Sequence, residues 1–201
     1  MTVAYGRRPQ LVEKFDGNSL DSSVWTTFGT NMGTITVANG ECIITNNVSG
    51  SRTGVSYSIG IYSNLSFPVG TSITVRSKNT SGRHASVIGF GNVPNSPYPH
   101  VSSIVGVSWY ARHDNVSSTV SIYDENGSIT GDSNVAQDLR SYQVFRIKRI
   151  SSSQIEFYRN GVLEYSITGI LMANSYPIYF ACDGWYSGNV TTVIDYIVVA
   201  E

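Results

Sequence analysis

The sequence predicts an all-β fold, a single antiparallel jelly-roll β-sandwich of two sheets with about ten to thirteen short strands. Three observations carry that prediction. Apolar and polar residues alternate at period two along most of the 201 residues, and no helical stripe of any length interrupts them. Three Asn-Gly pairs, at Asn39-Gly40, Asn126-Gly127 and Asn160-Gly161, mark hairpin turns, because both residue types tolerate the positive φ of a tight turn. Gly, Asn, Ser and Pro clusters recur at short, regular intervals, the spacing of an antiparallel sandwich rather than a parallel sheet.

Residues 1–10 hold Arg7 and Arg8 but no apolar run, so they read as an N-terminal arm and not as a signal peptide. The domain then occupies 11–201. Strands are expected at Thr34–Ala38 and Glu41–Thr45 around the first Asn-Gly, then at Gly54–Tyr62, Ser72–Lys78 and Ala85–Phe90. The segment Gly91–His100 carries three of the six prolines and reads as a long loop. Ile104–Arg112 and Thr119–Tyr123 follow, then Tyr142–Ile150. Gln154–Arg159 and Val162–Ile167 form the clearest hairpin, with Ile155 and Phe157 on one face and Glu156 and Tyr158 on the other. Ile178–Cys182 and Thr191–Val199 complete the set. Gly89-Phe90-Gly91 lacks the third glycine and following helix of a nucleotide fingerprint, so it reads as packing at a strand end.

Charged residues make up 13 % of the chain, against roughly a quarter in an average soluble protein. Ser, Thr, Asn, Gly and Tyr take their place, a polar surface of the kind found outside cells. A net charge of −1 supplies no field to draw the protein to nucleic acid or an anionic membrane, and no stretch is apolar enough for a membrane span. Cys42 and Cys182 permit one disulfide or none; both lie in apolar runs and read as buried thiols.

The segment Leu11-Val-Glu-Lys-Phe-Asp16-Gly-Asn-Ser-Leu20-Asp21-Ser-Ser-Val-Trp25 resembles the opening of the concanavalin A-like lectin/glucanase superfamily. So do the hairpin Ile35-Thr-Val37…Asn39-Gly40-Glu-Cys-Ile43, the later Ile155-Glu-Phe-Tyr-Arg-Asn160-Gly161 and Tyr176-Pro177-Ile, and the closing Val193-Ile-Asp195-Tyr196-Ile-Val198. Together these cover roughly the first 45 and last 60 residues, the middle being placed by continuity. Phe15, Leu20 and Trp25 suit a cap on one end of the core, with Asp16 and Asp21 anchoring tight loops through their side chains.

Glucanases of this superfamily set carboxylates at alternate positions of one strand, Glu-x-Asp-x-Glu, so that nucleophile and general acid share a face. Yet from Cys42 to His113 this chain has no Asp or Glu, while it has three histidines (His84, His100, His113) and five cations there. The corresponding stretch, within Ala85–Arg112, offers Ser103, Val105, Val107 and Trp109 on one alternation and Ile104, Gly106, Ser108 and Tyr110 on the other. Neither bears an acid, so the expectation is a protein that is not an enzyme.

Two non-enzymatic classes are therefore expected: a structural or decoration component of a virion or extracellular assembly, or a dedicated carbohydrate-binding module. The absence of a signal peptide and of a linker to a catalytic partner favours the first. Expected partners are protein subunits of the same assembly, surface glycans, or a second copy of this chain, with no nucleic acid and no membrane insertion. The resemblance implies that sugars stack on aromatic rings, which nominates Asp183, Trp185, Tyr186, Trp109, Arg112, Tyr98 and His100 as ligand-binding residues. It also implies a structural calcium ion, held by Asp195 and at the turn position Gly40. No cofactor is otherwise required.

Overall fold

In a computed structural model, residues 10–48, 58–81, 86–92, 105–111, 118–123, 140–169, 172–183 and 190–201 are described. The expected N-terminal arm, the Pro-rich loop and the turn at Asn126-Gly127 lie outside them. The described residues form fourteen strands in chain order. They are β1 (Leu11–Glu13), β2 (Trp25–Phe28), β3 (Gly33–Ala38), β4 (Glu41–Asn46), β5 (Ser58–Phe67), β6 (Ser72–Ser81) and β7 (Ser86–Asn92). Then come β8 (Val105–Ala111), β9 (Ser118–Tyr123), β10 (Gln143–Ser151), β11 (Gln154–Arg159), β12 (Val162–Thr168), β13 (Tyr176–Asp183) and β14 (Val190–Ala200).

One sheet runs β12-β11-β10-β6-β14-β4-β3, with β1 also paired to β14; the other runs β2-β5-β13-β7-β8-β9, and neighbouring strands within each are antiparallel. This is the expected two-sheet jelly-roll sandwich. Strands β1 and β2 escaped the sequence reading because three or four residues are too few to show an alternation. Among the described residues no helix is long and apolar enough to cross a membrane.

Alternation puts one face of each sheet into a shared core. Phe145, Ile147, Ile155, Phe157, Ile73 and Val75 from the eight-stranded sheet meet Ile59, Ile61, Ile88, Phe90, Ile178 and Phe180 from the six-stranded one. At one end Trp25 packs edge-on against Phe180, ring centroids 6.0 Å apart, beside buried Phe15. The aromatic cap is therefore as expected, but its anchor differs. Glu13, not Asp16, accepts the Trp25 indole N–H (2.9 Å) and the Phe15 amide (2.7 Å), the latter holding Phe15 at φ 53°. Asp21 anchors its own loop by accepting the Ser23 amide and hydroxyl, and those bonds lower its carboxyl pKa.

Two of the predicted Asn-Gly turns are described, and both adopt the left-handed backbone that this pair favours: Asn39 and Gly40 at φ 56° and 78°, Asn160 and Gly161 at 49° and 83°. Pro177, lacking an N–H, sits in the middle strand β13 at a register shift between Pro177 and Tyr179, where the Ser63 hydroxyl accepts the Ile178 amide at 3.0 Å.

Cys42 and Cys182 are free and buried. Burial, reinforced by Glu13, pushes the Cys42 thiol up to about 12. A thiol so raised contributes stability that is complete below its ordinary pKa and is lost as pH climbs toward 12. Both thiols should resist alkylation at pH 8 in native protein and react within minutes in denaturant. Rapid labelling of the native chain would contradict their burial.

Candidate functional site

The outer face of the six-stranded sheet is built by register. One row runs Phe28, Gly60, Ala181, Val87, Tyr110 and Thr119 across all six strands. The next runs Thr26, Tyr62, Tyr179, Gly89, Ser108 and Ser121. These positions alternate with the core residues Ile59, Ile61, Phe180, Ile88 and Phe90, so they lie on the face turned away from the other sheet. Phe28, Val87, Tyr179 and Ala181 form a second buried cluster there, with Tyr62 packed on its edge and the Phe28 and Tyr62 rings 6.3 Å apart. Gly89 and Gly91, toward the end of β7, belong to this face, and Gly89 leaves a bare backbone floor across from Tyr179.

Strand β13 ends at Asp183, opposite Ser58 and next in the alternation after Tyr179 and Ala181. Among the described residues of these six strands it is the one carboxylic acid. The backbone just before it is held from behind. Asn46 of the other sheet is fully buried; its amide donates to the Cys182 carbonyl at 3.1 Å, and its oxygen accepts the Val48 amide at 3.0 Å. One strand over, the Ser86 hydroxyl donates to Asn79, which also accepts from Thr192 at 3.1 Å. Buried polar groups satisfied in this way fix a geometry more sharply than apolar packing does, so this end of the sheet is rigid.

The expected binding residues fare differently. Trp109 pairs in register with Ile88, and its neighbour Tyr110 with Val87. Trp185, Tyr186, Tyr98, His100 and Arg112 lie outside the described residues. Sequence reasoning missed Phe28, Tyr62 and Tyr179. For Phe28 and Tyr179 the signal is a glycine directly across the ladder, Gly60 and Gly89, visible only once strands are paired.

The expected calcium position is a cavity of about 270 Å³ bordered by Asp195, Gly40, Asp16, Asn39, Lys14 and Tyr196, among others. Its donor set does not suit calcium. The Arg76 guanidinium donates to Asp195 Oδ2, and Lys14 lines the same cavity, so two cations already offset its two carboxylates. Calcium takes six to eight oxygens and draws its affinity from uncompensated negative charge.

No family model matches the chain, and no curated protein matches it in sequence. Solved structures do match in shape. A β-1,3-1,4-glucanase (lichenase) from a mouse hindgut metagenome superposes with TM-score 0.67 at 15 % identity, over 94 % of this chain and 98 % of its own. A β-1,3-glucanase from Mycobacterium marinum gives 0.65 at 14 %, over 96 % and 98 %. A structure from work on human gut endo-acting O-glycanases that initiate mucin breakdown gives 0.66 at 15 %, over 96 % and 99 %.

The chain shares the jelly-roll β-sandwich fold of these structures. The expectation of a non-enzymatic virion component or lectin module is corrected by these neighbours, which are glycan-cleaving enzymes along nearly the whole chain. The expectation rested on the acid-free stretch from Cys42 to His113, which includes β5, β7 and β8 of this face.

Proposed function

We propose that this protein is a glycoside hydrolase acting on a β-linked glucan laid across the outer face of the six-stranded sheet. The observation that carries the reading is the likeness, over 94–96 % of the chain, to glucanases and a lichenase. The aromatic and glycine rows support it, since rings and a bare backbone floor suit the flat apolar faces of pyranose units. The polar, weakly charged composition supports action outside the cell.

Glycoside hydrolysis needs two carboxyl groups flanking the scissile bond. Strand β8, Val-Gly-Val-Ser-Trp-Tyr-Ala, supplies none, so the acids come from elsewhere on this sheet. Asp183 is the first. Asp114, three residues beyond the end of β8 in sequence, lies outside the described residues and is the candidate for the second. Ala111 pairs with Ser86 and Ser86 with Cys182, so β8 and β13 are two strand spacings apart, about 10 Å. In such a pair one carboxylic acid protonates the leaving oxygen, while the other carboxylate attacks the sugar or activates water.

The test is reducing-sugar release from laminarin and mixed-linkage β-glucan, with the anomer of the first product followed by NMR. Wild type should release reducing sugar from at least one of them. Asp183→Asn should lower the rate roughly 10³-fold with an unchanged melting temperature. A wild type silent on both polymers, or a fully active Asp183→Asn, would overturn the proposal.

A further inference from the structure

On the outer face of the eight-stranded sheet the alternation of β14 breaks. Asp195 and Tyr196 are both half-buried on one face, between buried Ile194 and Ile197, and the pairing with β6 shifts register at this point. That shift is a β-bulge, which re-aims the extra residue. Its product is the contact between Asp195 and Arg76. The Arg76 guanidinium also lies 4.1 Å from the centre of the Tyr142 ring, as does the Lys78 ammonium. Tyr142 donates its hydroxyl to Glu41, and Lys78 stands 4.0 Å from the same carboxylate. Burial, and then the bond to Glu41, raise the Tyr142 hydroxyl pKa, so the ring stays neutral and keeps both cations over its face.

We propose that Arg76 is a built-in cation that takes the place of a divalent metal at the Asp195 bulge, making this face of the fold independent of calcium. Two observations join here. The bulge delivers a carboxylate to the rim of a cavity that also holds Asp16 and the Gly40 turn, an oxygen-rich setting. The same carboxylate is claimed from the other side by a guanidinium that Tyr142 holds in place. Bonding to Asp195 also raises the Arg76 pKa, so the cation is present at every workable pH. Removing its charge leaves Lys14 as the cation lining the cavity beside Asp195 and Asp16, with Lys78 held by Glu41 and Tyr142, and a divalent ion becomes the better neutraliser.

Thermal melting with EDTA or with millimolar calcium tests this without reference to hydrolysis. Wild type should melt at the same temperature in both. Arg76→Gln should melt several degrees lower in EDTA and regain most of the loss with calcium, because an ion bound only by the native state stabilises it by mass action. Arg76→Lys keeps the charge and should show no calcium response. The double variant Arg76→Gln/Asp195→Asn should lose the response of the single one. A calcium-dependent wild type, or an Arg76→Gln indifferent to calcium, would overturn the proposal.

Discussion

Arg149→Ala should lose about 3–5 kcal/mol of stability, the largest effect expected of any single side chain removed from this protein. Arg149 is fully buried, an unusual place for a guanidinium. It donates through Nη1 to the Phe67 carbonyl at 2.9 Å, and through Nη2 to the Met172 and Asn174 carbonyls, each at 2.7 Å. The rings of Phe90 and Tyr176 lie 5.3 Å and 5.4 Å from its central carbon. Its strand belongs to the eight-stranded sheet, whereas Phe67, Phe90 and Tyr176 belong to the six-stranded one, so this side chain staples the two sheets together. Truncation leaves a large cavity and two buried carbonyls, those of Phe67 and Met172, without their donor, each a penalty of about 1–3 kcal/mol. For a chain of this size the melting temperature should fall by roughly 10 °C. Arg149→Lys should recover only part of this, because an ammonium reproduces neither the planar fork nor its reach to three carbonyls. Denaturant titration of both variants checks the point. A Lys variant equal to wild type would show that charge alone, and not the fork, holds the sheets.

The contrast between Arg149 and the outer-face rows shows what could be read from sequence. In Phe145-Arg-Ile-Lys-Arg149 the alternation itself places Arg149 on the core face with Phe145 and Ile147. The pattern was legible, and only the habit of putting arginine outside concealed it. Hairpins at Asn39-Gly40 and Asn160-Gly161 were legible too, because their backbone requirement is local and these residues meet it. The aromatic and glycine rows were not. They join residues as distant as Phe28 and Thr119, and only ladder register, a tertiary fact, sets Gly60 beside Phe28 and Ala181. The Asp195 bulge was hidden for a related reason. Ile-Asp-Tyr-Ile reads as ordinary strand until its partner β6 shows the slipped pairing. Asp183 was nominated for sugar contact from its place before Trp185, but its standing as the lone acid of six described strands needed the sheet.

Gly60→Ala should destabilise the fold by about 3 kcal/mol and disturb the proposed glucan face in the same stroke. The cause is space and not φ. A Cβ at position 60 would run into the carbonyl oxygen of Phe180, come within 2.9 Å of the Ala181 Cα, and within 2.7 Å of the tip of the Phe28 ring. A ring can swing away, but a carbonyl in a strand paired on both sides moves only if β13 moves. Any shift in β13 carries Tyr179, Ala181 and the backbone of Asp183 with it. Gly161→Ala is the control. Its φ of 83° strains an alanine, yet nothing lies within 4 Å of the added carbon, so the loss should stop near 1 kcal/mol. At a temperature where both variants remain folded, Gly161→Ala should release sugar at the wild-type rate, whereas Gly60→Ala should lose most of its activity. If Gly60→Ala matched Gly161→Ala in stability, the tight approach of β5 to β13 would be wrong. If it lost stability yet kept full activity, the outer face would not be where the glucan lies.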